Sequence, residues 1–586
     1  MKNLNYLLTI LVLTGFIANA QYSAINVNSQ LVTKGIGAVA SDNDGNMIVT
    51  GNFNTTITIG GYTLTNSNPE PYGSNAAFIA KMNSAGSYTW VKNIVINKPL
   101  SKKICGTLYS GVEILGVSTD VSGNIYLTGS FYGSVSFGST TLATIQRSGA
   151  GACGTYDVNI FTAKMSPSGN FLWAKQEGIR TDHSSDSGNS VTSDAAGNVY
   201  TTGRLIQMEV NTVDCDPSNS CGTQAGSSLC PALQLYAYVV KYNATGLKIW
   251  EKKYANNYAN CQWTPEGTSI VSDGSNIYVA GHFIQTVNFG NGFSFTAGTI
   301  NLFLLKLDGN GNTIWATTAN TNVNAPNRLI LDNEGQDIYV SGRFSGTSSF
   351  GTFNLTATGT NQYLAKYSAS AGICSWAINT GYNATYTKGR PAFKHPNGNV
   401  GIVAKELGML FSIKEYSTVG SFVTETTATN VNTTDGVADI VSMPGGFVYS
   451  QNLKGSYDMG GTPIVSTQPS TSNFRDLMLV KYVYTAPPSI ARKPTNEKFN
   501  QISGDELHVR TSQNPTHDQF SFLIKSNDKN PVHIRIMDAQ GRVVDERKVN
   551  PEEGEIRIGE KFRPGIYYAE IIQGTERRIE KLLKFD

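Results

Sequence analysis

One stretch near the middle of the chain recurs along most of its length, and this repeat limits the fold more than any other feature. From Gly267 to Trp315 the sequence contains TSIVSDGSNIYVAGHF, then VNFGNGFSFTAGT, then LFLLKLDGNGNTIW. These are four short apolar runs separated by Gly, Asn and Asp, and their length and content predict four β-strands. A sheet of four strands cannot bury both faces alone, so the pattern predicts copies stacked on one another.

Three markers count the copies. The first is a turn before an outgoing strand, at Asp42, Asp120, Asp194, Asp273 and Asp332, with weaker forms at Gly398 and Gly445. The second is a lysine inside an apolar strand, at Lys81, Lys164, Lys241, Lys306, Lys366, Lys414 and Lys481. The third is a tryptophan nine or ten residues after the lysine, at Trp90, Trp173, Trp250, Trp315 and Trp376. The sixth copy has Phe422 near that place and the seventh has no equivalent. Seven lysines predict seven copies.

The ends of the repeat region complement each other. The start of the chain after Tyr22, SAINVNSQLVTKGIG, matches WAINTGYNATYTKGR from Trp376 onward, so that Ala24, Ile25 and Asn26 correspond to a fourth strand. The last copy has three strands and lacks the fourth. Pairing the two ends would leave no open sheet edge, which is the main liability of an all-β protein. We therefore predict an all-β, seven-bladed β-propeller over residues 21–484, closed by a strand near Tyr22 to Asn26. An open solenoid is the alternative, but it would not need complementary ends.

The first twenty residues have the features of a secretory signal. Lys2 precedes an apolar run from Leu7 to Ile17, and Ala18-Asn19-Ala20 supplies small residues for cleavage. Gln21 follows the expected cut, so no cysteine that could carry a lipid stands there. No other apolar run is long enough to span a bilayer, which predicts a mature chain without a transmembrane segment. The net charge of +2 is too small to create an electrostatic field that would attract nucleic acid.

The longest insertions between strands are expected on one face of the propeller, where specificity would reside. They hold six of the seven cysteines, which are the disulfide candidates Cys105, Cys153, Cys215, Cys221, Cys230 and Cys261. Cys105 with Cys153 is the preferred first bridge, and Cys230 with Cys261 or Cys215 with Cys221 the next. A metal site is the alternative, but the spacings match no zinc pattern and export favours bridges. Cys374, two residues before Trp376, is expected to be a buried free thiol.

Other recurring residues are expected to be structural. The aromatic residue three positions before each lysine is predicted to pack between blades, and the lysine stems to cover apolar surface with their heads at solvent or a carboxylate. These aromatic residues are Phe78, Phe161, Tyr238, Phe303, Tyr363 and Phe411. The turns Asp42-x-Asp44-x-Asn46 and Asp308-x-Asn310-x-Asn312 have alternating oxygen ligands, but neither has the glutamate that completes a calcium loop. We expect no cofactor, with calcium at these turns as the alternative.

The composition changes after a proline-rich segment. Residues 485–503 contain Pro487, Pro488 and Pro494 and predict a linker. The last 83 residues hold 29 charged residues, against 59 in the preceding 503, which predicts a separate domain over residues 504–586. Seven runs there alternate apolar and charged residues, as in strands wet on one side. Seven such strands fit a small immunoglobulin-like sandwich.

This last segment carries an ordered set of short motifs. They are Asn514-Pro515, Asp538 with Gly541-Arg542, Pro564-Gly565-Ile566-Tyr567, and a closing strand with Lys581 and Lys584. The set resembles the type A C-terminal sorting domain of the type IX secretion system of Bacteroidota, although Ser512-Gln513 replace the usual aromatic residue. The repeats resemble the SBBP β-propeller repeat. The first resemblance implies that the translocon reads the tail and that the propeller is then released or held at the cell surface. An ordinary accessory sandwich is the alternative.

Catalysis has little support in the sequence. The repeat region contains only His183, His282 and His395, and none stands in a metal-ligand motif or beside a spaced nucleophile. We therefore expect a secreted or cell-surface binding module that uses one propeller face for a glycan or protein. The alternatives are an extracellular polysaccharide-processing enzyme, since paired carboxylates could meet across blades, and a passive surface-layer component. No binding residue is singled out by the sequence.

Overall fold

A computed structural model describes residues 21–483 and 507–584 of the chain. The described ranges have gaps at 32–35, 54, 67–73, 95, 99–109, 145–157, 179–185, 209–232, 257–264, 324–327, 333–334, 384–391, 395–397, 406–410, 429–436, 444–445, 454–455, 458–463, 466–474, 513–518, 527, 539–541, 551–554, 564 and 575. The chain forms two compact units, Met1–Pro487 and Pro488–Asp586, and their border falls inside the expected linker. Every regular element of the described residues is a β-strand. None of these residues belongs to a helix that could cross a bilayer.

The described first unit contains four separate four-stranded antiparallel sheets, one eight-stranded sheet and one six-stranded sheet, with two smaller ones. For description we divide the eight-stranded sheet into two groups of four strands, take four strands of the six-stranded sheet, and number the resulting groups sheets 1 to 7. Sheet 1 contains β2 (Ile36–Ser41), β3 (Met47–Phe53), β6 (Ser74–Met82) and β7 (Tyr88–Ile94). Sheet 2 contains β9 (Ser110–Thr119), β10 (Ile125–Phe131), β13 (Asn159–Met165) and β14 (Phe171–Glu177). Sheet 3 contains β15 (Ser187–Ser193), β16 (Val199–Met208), β17 (Leu233–Tyr242) and β18 (Lys248–Ala255). Sheet 4 contains β19 (Glu266–Ser272), β20 (Ile277–Asn288), β21 (Ser294–Leu307) and β22 (Thr313–Asn320).

The remaining sheets follow the same order. Sheet 5 contains β23 (Arg328–Leu331), β24 (Asp337–Phe350), β25 (Phe353–Ser368) and β26 (Cys374–Asn383), and sheet 6 contains β27 (Ala392–Lys394), β28 (Val400–Lys405), β29 (Phe411–Tyr416) and β30 (Phe422–Ala428). Sheet 7 contains β31 (Val437–Met443), β32 (Gly446–Leu453), β35 (Arg475–Val483) and, from the start of the chain, β1 (Gln21–Leu31). Short additional strands are β4 (Thr56–Ile59), β5 (Tyr62–Thr65), β8 (Ile96–Lys98), β11 (Ser134–Phe137), β12 (Thr140–Ala143), β33 (Ser456–Tyr457) and β34 (Ile464–Val465). A two-residue parallel pairing of β6 with β9 also joins sheets 1 and 2.

The aromatic residue three positions before the lysine pairs with a glycine of the second strand. This pairing joins Gly51 to Phe78, Gly129 to Phe161, Gly203 to Tyr238, Gly281 to Phe303 and Gly342 to Tyr363. Glycine is required because a Cβ atom at Gly281 would lie 2.4 Å from the Phe303 ring and 2.0 Å from the Glu266 carbonyl oxygen. All five aromatic side chains are buried, as a packing role predicts. The side chain of Phe411 lies outside the described residues.

The first strand of the chain pairs with the last strand of the first unit. β1 runs antiparallel to β35, with Ala24 opposite Val480, Ile25 opposite Leu479 and Asn26 opposite Met478. In sheet 5 the corresponding pairs are Ala377 with Ala365, Ile378 with Leu364 and Asn379 with Tyr363, which is the alignment that the sequence predicts. β1 continues past sheet 7, and Ser29 pairs with Ile57 of β4. β4 and β5 form a hairpin between the second and third strands of sheet 1, called here the sheet 1 hairpin. The matching hairpin of sheet 2 is formed by β11 and β12. Its β11 pairs with β8, which follows the fourth strand of sheet 1.

The first strands of the seven sheets contact one another in chain order, and β31 of sheet 7 contacts β2 of sheet 1. One hydrogen bond recurs between them. The backbone N–H of Ile270 donates to Ser190 Oγ at 3.3 Å, and that of Leu329 donates to Ser269 Oγ at 3.1 Å. Between sheets 7 and 1 the N–H of Val39 donates to Asp439 Oδ2 at 3.1 Å. The contact that joins successive sheets therefore also joins the last sheet to the first.

A tryptophan on the fourth strand fastens each of sheets 1 to 5 to the turn between strands three and four of the next sheet. The indole Nε1 atoms donate to the carbonyl oxygens of Pro167, Ala244, Gly309, Ala369 and Thr418 at 3.0 to 3.2 Å. Each ring also packs on a glycine two residues or more beyond that carbonyl, with the φ of these glycines between 68° and 84°. Lys241, Lys306 and Lys366 donate to the same carbonyls as Trp250, Trp315 and Trp376. Lys481 of sheet 7 donates to the matching carbonyl of sheet 1, that of Ser84.

Sheet 6 corrects the sequence-based marker Lys414. A bulge follows the lysine in the third strand of other sheets, as between Lys366 and Tyr367, and in sheet 6 it follows Glu415. Glu415 therefore occupies the lysine position, and its cross-strand partner Thr424 occupies the tryptophan position that Phe422 was expected to fill. Lys414 lies on the opposite face and donates to the Thr380 carbonyl of sheet 5 at 3.0 Å. Alternation of side chains along a strand explains the change, because a shift of one residue reverses the face.

The second unit contains the seven expected strands in two sheets. One sheet has the order β36 (His508–Ser512), β37 (Phe520–Lys525), β40 (Glu555–Ile558). The other has the order β39 (Val543–Val549), β38 (Val532–Asp538), β41 (Gly565–Gln573), β42 (Glu576–Lys584). Both sheets contribute to one core that includes Phe520, Phe522, Ile534, Ile571 and Leu582. The strand Val532–Asp538 alternates buried and exposed residues, as expected for a strand with one wet face, whereas Val543–Val549 is mostly exposed.

Candidate functional site

A polar cluster links sheets 3 and 4 at the ends of strands that lead into two of the longest insertions. Arg204 lies four residues before the end of β16, which precedes residues 209–232, and Glu266 begins β19, just after residues 257–264. The Asn189 amide donates to Glu266 Oε1 at 2.6 Å, and Arg204 Nη1 lies 3.5 Å from Glu266 Oε2. His282 Nε2 lies 3.9 Å from the same oxygen. One carboxylate therefore faces two basic side chains that come from different sheets.

The exposure of the cluster is graded. The side chains of Arg204, Glu266 and His282 are 27%, 18% and 6% exposed. His282 Nδ1 is buried and has no hydrogen-bond partner among the described residues. Burial lowers the pKa of His282, Glu266 raises it and Arg204 lowers it further, with a net downward shift. At neutral pH the cluster therefore presents a carboxylate, a guanidinium and an uncharged imidazole, which can accept and donate hydrogen bonds to hydroxyl or amide groups.

The lowered pKa of His282 makes stability depend on pH. The pKa of His282 is lower in the folded state than the unfolded value of about 6.5, so below that pH the unfolded state binds the proton more readily than the folded state does. Acid therefore favours unfolding. We expect the free energy of unfolding to decrease between pH 7 and pH 5, with His282 accounting for at most about 1.4 kcal/mol per pH unit. His282→Gln should flatten this dependence when urea unfolding is measured at each pH. An unchanged slope in the variant would contradict the role of His282.

An ion pair connects the first strands of sheets 5 and 7. Arg328 Nη1 lies 3.3 Å from Asp439 Oδ1, and Arg328 Nη2 donates to the Ile440 carbonyl at 3.3 Å. The other oxygen of Asp439 accepts the Val39 N–H. Asp439 is only 4% exposed at its side chain, so its charge is matched by a cation and by a backbone donor. This carboxylate is used within the fold and offers little to a ligand.

The repeated lysines form no free ring of cations. Lys81 Nζ lies 3.1 Å from Asp42 Oδ2 and Lys366 Nζ lies 2.7 Å from Asp337 Oδ2. Lys164, Lys241 and Lys306 lie 5.3 to 5.4 Å above tyrosine rings, and those tyrosines donate to Asp120, Asp194 and Asp273. The heads therefore contact carboxylates, rings or turn carbonyls, which gives them a structural role.

The acidic turns use their oxygens internally. Asp42 Oδ1 accepts the N–H groups of Asp44 and Asn46, and Oδ2 accepts the Asn46 amide. Asp308 makes the same three contacts with Asn310 and Asn312. Within the described ranges, no group of three or more His, Cys, Asp or Glu side chains is placed to hold a metal ion. The alternating oxygen-bearing side chains are therefore explained by the turns that their hydrogen bonds stabilise.

The cysteine predictions divide by position. Cys374 is a buried free thiol, as expected, and burial raises its pKa to about 11, so it is unreactive. All six disulfide candidates lie outside the described residues, which leaves their pairing a prediction. These residues are Cys105, Cys153, Cys215, Cys221, Cys230 and Cys261.

The structure places five of the eight proposed sorting residues. Asp538 Oδ2 accepts Arg542 Nε and Nη2, both at 2.7 Å, and Asp538 Oδ1 accepts the Arg542 N–H, so these residues close one turn. Gly565 begins β41, and the Tyr567 hydroxyl donates to the Arg563 carbonyl at 2.7 Å. Lys581 lies in β42 opposite Tyr568. Asn514, Pro515 and Gly541 lie outside the described residues.

Sequence reasoning missed the cluster of Asn189, Arg204, Glu266 and His282. Its signal was a polar residue directly after the second-strand glycine, as in Gly203-Arg204 and Gly281-His282, where the strand is otherwise apolar. The sequence could not show that these residues meet Glu266, because Arg204 and Glu266 lie on different sheets. Only the stacking of sheet 3 on sheet 4 brings them together.

Comparison with known proteins identifies the second unit. Residues 514–584 match the sequence model of the family described as "Secretion system C-terminal sorting domain". This match implies handling by the type IX secretion system and a secreted or outer cell-surface location. No curated protein sequence matches the chain significantly.

Solved structures give weak similarities. Hydrazine synthase of Kuenenia stuttgartiensis is 9% identical, covers 75% of this chain and 97% of its own, and has a TM-score of 0.37. Sqt1 of Chaetomium thermophilum is 8% identical, covers 86% and 100%, and has a TM-score of 0.33. The Synechocystis apocarotenoid oxygenase is 10% identical, covers 68% and 88%, and has a TM-score of 0.26. Scores of this size do not establish a shared fold or activity. The family match therefore rests on residues 514–584, in the second unit.

Proposed function

We propose that the first unit is a closed seven-bladed β-propeller, similar to SBBP repeat proteins, which acts outside the cell as a binding module for a glycan or a protein. Sheets 1 to 7 would be the blades. Three recurring contacts support closure at the junction of sheets 7 and 1: the pairing of β1 with β35, the Val39 hydrogen bond and the Lys481 contact with Ser84. Closure would leave the propeller without an open edge, which suits a protein secreted into a dilute environment.

The observation that carries the binding function is the cluster of Arg204, Glu266 and His282 at the base of two long insertions, in which Arg204 and Glu266 are partly exposed. The other charged groups discussed above, elsewhere in the described first unit, already form hydrogen bonds or ion pairs within turns or between sheets. The insertions supply surface that a regular propeller does not need for stability. Cysteine bridges would make these insertions stiff and so reduce the entropy lost on binding. We propose no catalytic role and no resident cofactor.

A screen of the full secreted chain against glycans and extracellular proteins tests this function. Glu266→Gln and Arg204→Gln should weaken binding of the best ligand about tenfold or more, as expected for a charged hydrogen bond lost in a partly buried site. Asp44→Asn is the matched control, because Asp44 is exposed on a turn at the other ends of the strands. Equal binding by all three variants would contradict this location of the site. Turnover of a polysaccharide by the purified chain would contradict the non-enzymatic proposal.

Deletion of residues 504–586 tests the route of export. Without the sorting domain the protein should accumulate in the periplasm, because nothing then directs it to the type IX translocon. Immunoblotting of periplasmic and extracellular fractions measures the distribution, and we expect the extracellular fraction to fall at least about tenfold. The charge-reversal variant Asp538→Lys, which opens one turn of the sorting domain, serves as a milder comparison. Normal secretion of the deletion would refute the assignment.

A further inference from the structure

The junction between sheets 6 and 7 departs from every other described junction in a coordinated way. Sheets 1 to 5 each reach forward with a tryptophan to the turn between strands three and four of the next sheet. Sheet 6 has Glu415 in the lysine position, Thr424 in the tryptophan position and Gly401 opposite Glu415, where sheets 2 to 5 have tyrosine. All three parts of the forward contact are thus replaced together in one sheet.

The reason lies in the next sheet. The third and fourth strands of sheet 7 are β35 and β1, which are at opposite ends of the unit and are joined by no turn. A tryptophan or lysine on sheet 6 would therefore have no turn carbonyl to meet. Where other sheets have that turn, sheet 7 has the end of β35 at Val483 paired with the start of β1 at Gln21. Sheets 6 and 7 are neighbours, since Phe393 and Phe447 pack with ring centroids 4.2 Å apart.

Glu415 is directed toward this place. Its neighbours Lys414 and Tyr416 both contact sheet 5, Lys414 through the Thr380 carbonyl and Tyr416 in a core with Tyr339 and Trp376. Alternation along β29 turns Glu415 to the other face, toward sheet 7. Glu415 is 8% exposed, and its burial raises the pKa of the carboxyl more than the hydrogen bond with Asn399 lowers it. A cation beside this carboxyl would add to the Asn399 hydrogen bond and favour the charged form.

We propose that Glu415 is the receptor for the α-ammonium group of Gln21, which signal-peptide cleavage after Ala20 would create at the position of the missing turn. The inference rests on the closed propeller and on that cleavage site, both proposed above. Processing would then add the last contact of the ring, because the amino group replaces the turn that each of the other forward contacts uses. An uncleaved chain has a neutral amide at Gln21 and lacks this ion pair.

A double-mutant cycle tests the contact in the full chain. Two proteins, one beginning at Gln21 and one at Ala20, are released from a cleavable fusion and compared with and without Glu415→Gln. Keeping Ala20 moves the amino group by about 3.3 Å. We expect this to lower Tm by about 2 °C when Glu415 is present and by less than about 0.5 °C in Glu415→Gln. The control is Glu425→Gln, because Glu425 lies on the face toward sheet 5 and accepts Ser412 Oγ at 2.7 Å.

A second readout reports the amine directly. An ion pair with Glu415 should slow acylation of the Gln21 α-amine at neutral pH about threefold relative to Glu415→Gln, as a half-unit rise in its pKa would. Equal Tm losses in both backgrounds, or equal acylation rates, would overturn the proposal. So would a mature exported chain whose amino terminus is not Gln21 or is blocked by cyclisation of that glutamine. None of these results would affect ligand binding at Glu266, so the two proposals fail separately.

Discussion

Removal of residues 21–31 is expected to destabilise the fold of the first unit strongly. The deletion exposes the backbone groups of β35 along the register from Gln21 to Val27 and also removes the partner of the sheet 1 hairpin at Ile57. Each lost hydrogen bond contributes about 0.5–1.5 kcal/mol, and the bare edge can pair with other chains. We expect a fall in Tm of more than about 10 °C, with aggregation visible in size-exclusion chromatography.

Rescue by a peptide makes this result specific. A synthetic peptide of residues 21–31 should restore part of the stability of the shortened chain. β1 comes from the other end of the first unit and no turn joins it to β35, so a separate peptide can take its place. The same peptide with Ile25→Pro is the control, since proline removes a backbone donor and is excluded from the interior of a sheet. An unchanged Tm after the deletion would mean that the pairing of β1 with β35 does not hold the unit together.

Trp315→Ala should cause the largest loss among single substitutions in the forward contacts. The Trp315 side chain is buried, with its Nε1 donating to the Ala369 carbonyl and its ring packing on Gly372 and Tyr278. Truncation leaves a cavity between sheets 4 and 5 and removes one of the two donors to the Ala369 carbonyl, which keeps Lys306, at a cost of about 3–5 kcal/mol. Urea unfolding followed by tyrosine and tryptophan fluorescence measures this loss.

The equivalent position in sheet 6 provides the control. Thr424 stands opposite Glu415, is exposed and has no turn of sheet 7 to reach. Thr424→Ala should therefore change the free energy of unfolding by less than about 0.5 kcal/mol. Similar losses for the two variants would contradict the forward contact as the source of stability. A loss for Thr424→Ala alone would contradict the alignment of Glu415 with the lysines.

The sequence predicted the parts of the fold that depend on local pattern. Short apolar runs with Gly, Asn and Asp turns predicted the strands, and the match of Ala24 to Asn26 with Ala377 to Asn379 predicted the register of β1. These predictions succeed because a strand has a fixed side-chain period and because repeats share their register. The seven strands of the second unit followed from the same alternation.

Other features depend on tertiary contacts that a single chain pattern does not encode. Lys414 served as a marker because it lies beside an apolar run, but the bulge after Glu415 decides which residue faces sheet 7. The forward bond from Trp250 to Gly309 joins residues 59 apart on different sheets. The cluster of Glu266 and His282 likewise requires sheet stacking. The sequence shows which polar groups are present, but it does not show that Glu266 and His282 contact each other.

The central claim is that β1 completes sheet 7, and a crosslink tests it most directly. Ala24 and Val480 are opposite each other in the register, so their Cα atoms lie at a separation that a disulfide can bridge. In the full chain, Ala24→Cys with Val480→Cys should oxidise to a bridge between positions 24 and 480, identified by peptide mass mapping, with Tm raised or unchanged. Ala24→Cys with Met478→Cys, two residues out of register, should bridge poorly. Efficient bridging of the second pair, or failure of the first in a folded protein, would contradict the account.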